Sequence, residues 1–66
     1  MNKIPIIVSC MTRRIDYREL HEFSSVPRIG EVVFIDHPDV GRREVGRIVW
    51  TPGGTPDVEI DLESDL

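Results

Sequence analysis

The chain has 66 residues, 39% of them hydrophobic and 30% charged, and a formal net charge of −4. That is room for one domain and one small core, because a chain of this size hides only about 60% of the surface its unfolded form exposes. Cys10 is the only cysteine, which excludes an internal disulfide; with two distant histidines, His21 and His37, the residue types also argue against a four-ligand zinc site.

The charge is uneven. Residues 1–47 hold all eight basic residues and seven acids, a net of +1, whereas residues 48–66 hold five acids and no base, a net of −5. This disfavours nucleic-acid binding through a wholly basic surface. The longest apolar run, residues 4–8, is far shorter than the roughly 20 residues of a membrane span, so no membrane association and a cytoplasmic location are expected. The absence of disulfides fits a reducing compartment. A homodimer is one way for so short a chain to add core.

Residues 4–9 are β-branched and apolar and predict a first strand. Ile6 and Val8 share one face, Ile7 and Ser9 the other, and Cys10 is expected as a small buried residue at the strand end. Pro5 cannot donate to a ladder and belongs at a strand start or an edge. Residues 12–16 are polar and turn-like. The next stretch is ambiguous. Asp16 and Glu19 resemble a capping box, and Tyr17, Leu20 and Phe23 have near-helical spacing, which allows one short helical turn. The favoured reading is a hairpin in which residues 17–23 pair back on the first strand, because so short a helix is marginal alone.

Residues 26–31 form a connector, with Pro27 extending Val26 and Gly30 suited to positive φ. Residues 32–36, VVFID, predict a strand apolar enough to be buried on both faces. Residues 37–41 are a turn by composition. Residues 44–51 follow as a strand whose apolar phase changes midway: Val45 and Val49 share one parity, Ile48 and Trp50 the other. Gly46 is the natural bulge that permits the change. Trp50 is expected in the core. Residues 51–56 form a loop, and residues 57–63 return as an antiparallel partner of 44–51.

That last strand alternates. Asp57, Glu59, Asp61, Glu63 and Asp65 fall on one parity, Val58, Ile60 and Leu62 on the other, predicting an apolar face on the core and a carboxylate face in water. The elements together predict an all-β fold of four to five antiparallel strands.

Pro27-Arg28-Ile29-Gly30-Glu31, the VVFID strand, Val45 with Ile48-Val49-Trp50, and Val58-Glu59-Ile60-Asp61-Leu62 follow one another in a recognisable order. Over residues 26–63 this pattern resembles small bacterial and prophage-encoded proteins of unknown function with an SH3-like barrel. The resemblance implies a small SH3-like barrel or roll. It implies little about function, because the matching residues are turn and core positions.

No nucleophile motif, phosphate loop or metal-ligand spacing is present, so neither catalysis nor a cofactor is expected. Two surfaces remain as candidates. The carboxylates Asp57, Glu59, Asp61 and Glu63, with Trp50 as an aromatic anchor, would form a docking face for a protein partner with a basic surface. One form of this is a phage-derived inhibitor acting through the acidic strand. The alternative is a nucleic-acid contact through Arg42, Arg43 and Arg47, since arginine suits bidentate phosphate binding. A third reading is a structural subunit of a small homo-oligomer.

Overall fold

A computed structural model describes residues 3–65. It contains five strands: β1 (Ile4–Met11), β2 (Asp16–Phe23), β3 (Val32–Ile35), β4 (Gly41–Trp50) and β5 (Val58–Leu62). They form one curled sheet in the order β2-β1-β5-β4-β3. The ambiguous segment is strand, not helix: β2 pairs with β1 antiparallel along its whole length, from Met11 opposite Asp16 to Ile4 opposite Phe23. Thr12 closes that hairpin. Its hydroxyl accepts from the Arg14 and Ile15 amides, and its own amide donates to the Ile15 carbonyl at 2.8 Å.

The expectation of wholly antiparallel pairing is corrected at one seam. β1 and β5 run parallel, with Val8 opposite Ile60, so the sheet is mixed. A parallel neighbour requires a long crossover, and here β2, β3 and β4 together supply it. The consequence is that the acidic strand lies in the middle of the sheet, flanked by β1 and β4.

The core is the concave side of the curl. Ile6, Val8 and Cys10 from β1, Val33 and Ile35 from β3, Val45 from β4, and Val58, Ile60 and Leu62 from β5 are all buried. Gly46 carries the bulge: the β4–β5 register shifts between Val45 and Arg47. The extra residue lets Val45 and Ile48 both face inward although they differ in parity. Positive φ at Gly30 (91°) and Gly41 (64°) lets the chain turn into β3 and out of the β3–β4 hairpin, a conformation that other residues adopt only under strain.

Two burial expectations fail. β3 is not covered on both faces: Val33 and Ile35 point inward, while Val32 and Phe34 are 56% and 67% exposed. The described residues form a single sheet whose core lies on one face, so no layer among them covers the convex side of β3. Trp50 is not in the core either. It shares the inward phase of Ile48, but it ends β4 where the chain leaves for the loop, and 61% of it remains exposed.

Candidate functional site

The predicted acidic face is divided by the fold. Glu59 and Asp61 project from the convex side of β5, between strands that carry arginine. Arg18 Nη1 of β2 lies 2.7 Å from Glu59 Oε1, and Arg47 Nε of β4 donates to Asp61 Oδ2 at 2.8 Å. The two carboxylate side chains are only 24% and 26% exposed. They act as internal counter-ions that tie three strands together. Asp57 stays exposed beyond the β5 start, next to Trp50 in the sheet end, where the Thr51 amide donates to the Asp57 carbonyl. Glu63 is exposed on the other side of Leu62. The five predicted partner-binding residues therefore occupy three separate places.

Asp65 has a different role. Arg43 donates to both of its carboxylate oxygens, at 2.8 and 3.0 Å, and also to the carbonyls of Val40, Asp39 and Glu63. The Arg43 side chain is 14% exposed, because it points to the concave side opposite Val33. This one guanidinium fastens the C-terminal tail to the β3–β4 turn. The hydrogen bonds from Arg43 hold the Asp65 carboxyl below its ordinary value. Cys10 lies beneath, its thiol directed at the Glu63 carbonyl, and burial raises its pKa.

The arginine set is likewise split. Arg43 is spent on the clamp and Arg47 on Asp61, which leaves Arg42 in no ion pair among the described residues. The turns at residues 12–15 and 37–41 do meet at one end of the sheet, where Arg14 approaches Asp39 at 3.8 Å. The cation of the first turn that makes a contact there thus meets a carboxylate of the chain itself. A hollow of 440 Å³ beside the clamp is lined by Arg42 and Arg43, but equally by Glu44, Glu63 and Asp65, so it is not an anion site.

His21 and His37 come together through Tyr17. The Tyr17 hydroxyl lies 2.7 Å from His21 Nε2, and its ring packs edge-on against His37 at 5.4 Å. His37 Nδ1 accepts the Asp39 amide, which caps the turn. No group of three or more potential metal ligands occurs among the described residues, and no helix long and apolar enough to cross a membrane occurs among them.

The surface that sequence reasoning missed is at β3. The Val45 amide donates to the Glu31 carbonyl at 2.9 Å, which marks 31 and 45 as a hydrogen-bonded pair. Antiparallel alternation then turns the backbone groups of Val33 and Ile35 toward β4 and those of Val32 and Phe34 toward the open edge. The same two residues carry the exposed apolar side chains. A groove of 320 Å³ runs along this edge, with residues 32–34 on one wall and Phe23, Ser24, Ser25 and Pro27 on the other. The signal in the sequence was the shortness of the apolar run between turn signals, since short strands are typical of sheet edges. No protein-family model, curated protein or solved structure matches the chain.

Proposed function

We propose that this protein is a non-catalytic protein-binding module on a small SH3-like roll, and that its contact surface is the open edge of β3. One observation carries the reading. Val32 and Phe34 combine large exposed apolar side chains with backbone donors and acceptors that no strand among the described residues uses. Natural sheet edges are blunted by charge, proline or cover. β2, the opposite edge, is blunted in this way by Asp16, Arg18, Glu19 and Glu22, whereas β3 is all apolar. An apolar edge left open is the feature by which strand-adding modules hold their partners.

The acidic strand is a weaker candidate than its composition implies, since Glu59 and Asp61 already have counter-ions. The nucleic-acid reading loses support for the same reason, with Arg43 and Arg47 engaged. The test is capture from a nuclease-treated bacterial lysate by the native chain, by Phe34→Ser and by Asp57→Lys. The reading predicts a retained protein that Phe34→Ser loses and Asp57→Lys keeps. Loss with Asp57→Lys alone would return the contact to the acidic end of the hairpin.

A further inference from the structure

Resting on that reading, we infer that the β3 groove takes a single extended segment of another protein, apolar at alternate positions and basic at both ends. Three features of the groove specify this occupant. The first is the backbone. Val32 and Phe34 each offer one N–H and one C=O to the edge, so a strand laid beside β3 gains four main-chain hydrogen bonds. The second is enclosure. The groove has a far wall, formed by Phe23, Ser24, Ser25 and Pro27. A second copy of this chain would bring its own β4 as well as its β3, and so needs more room beside those residues than a lone strand does.

The third is charge. The apolar run 32–35 is bracketed by Glu31 and Asp36, both exposed, and Glu22 adjoins the far wall. None of these three is in an ion pair among the described residues. The nearest cations stand off the edge: Arg28 in the connector, and Arg42 on β4 opposite Phe34. In a twofold antiparallel pairing of two β3 strands, Val32 of each copy faces Phe34 of the other. Glu31 of one copy and Asp36 of the other then gather at the same end of the pairing, on opposite faces, and this occurs at both ends. Negative charge collected in this way disfavours association, whereas a segment with a cation at either end is attracted at both.

The experiment is an amide NMR titration with peptides of one design, an alternating Thr/Val core flanked at both ends by arginine, by serine or by glutamate. The arginine peptide is expected to move the amides of Val32, Phe34, Ser24 and Ser25, and to bind about tenfold more tightly than the glutamate peptide, as two exposed charge contacts allow. Phe34→Pro removes an edge N–H that the fold does not use, so it should keep the native spectrum and lose binding. The Glu31→Gln/Asp36→Asn variant, in which the Gln keeps an acceptor for the Arg28 amide, should lose most of the difference between the three peptides. Shifts confined to another surface, no dependence on the flanking charge, or undiminished binding by Phe34→Pro would each overturn the inference. So would a concentration-dependent dimer whose contact is residues 32–34. If no peptide binds while lysate capture still depends on Phe34, strand addition fails and the binding-module reading stands.

Discussion

β5 and β3 are opposites in sequence and opposites in the fold, but not in the sense their composition suggests. β5 carries alternating carboxylates and lies at the centre of the sheet, while β3 is four apolar residues in a row and lies at its edge. On β5 the charges are tolerated because Arg47 on the adjoining β4 and Arg18 on β2, reaching across β1, meet them. On β3 only Val33 and Ile35 reach the core, and the other two side chains have no layer above them. A charged face is thus not evidence of an interaction face, and an apolar run is not evidence of two-sided burial. What decides them is which strands lie nearby and which face of the sheet is covered.

The largest way to separate the two strands is by truncation. Ile60 is wholly buried between β1 and β4, so Ile60→Ala should cost about 3 kcal/mol. Phe34→Ser on the edge should change stability by less than about 0.5 kcal/mol. Urea titrations of the two variants check this; equal losses would mean that β3 is packed as deeply as β5.

The next largest effect is expected at the clamp. Arg43→Met keeps the aliphatic bulk but leaves the carbonyls of Val40, Asp39 and Glu63 without their donor, which should cost about 2 kcal/mol. Faster hydrogen exchange at the β3–β4 turn and at residues 63–65 would localise the loss. Asp65 adds a pH signature. Its folded pKa is below the ordinary value of 3.8, so its contribution is complete above that value and is lost as pH falls through the lowered one. The acid limb of the stability curve should be shallower in Asp65→Asn than in the native chain.

Smaller still is the coupling on the convex face. A double-mutant cycle between Arg47 and Asp61 should give about 0.5 kcal/mol, reduced by added salt. A coupling indistinguishable from zero would show that the carboxylate face of β5 is held by solvent rather than by its neighbours.

Much of the local structure was legible because it depends on period and turn chemistry. The two hairpins, the bulge at Gly46, the positive φ at Gly30 and the inward phase of Ile6, Val8, Ile60 and Leu62 all follow from residues close in the chain. What could not be read was long-range. Nothing near residues 57–63 announces that β1 will pair with β5 in parallel, and that one pairing makes the acidic strand central. The places of Trp50 and Phe34 depend on the same fact, since exposure at a strand end or a sheet edge is set by which neighbours arrive. The Arg43–Asp65 clamp joins residues far apart in sequence and leaves no local motif.

The most direct test of this account is residue-resolved amide hydrogen exchange on the isolated native protein. Glu59 and Asp61, on a strand with a partner on either side, should exchange only as slowly as the whole molecule unfolds. On β3 protection should alternate: Val33 and Ile35 protected by β4, Val32 and Phe34 open to solvent. Equal protection at all four β3 amides would contradict the account, because the edge assigned to a partner would already be covered.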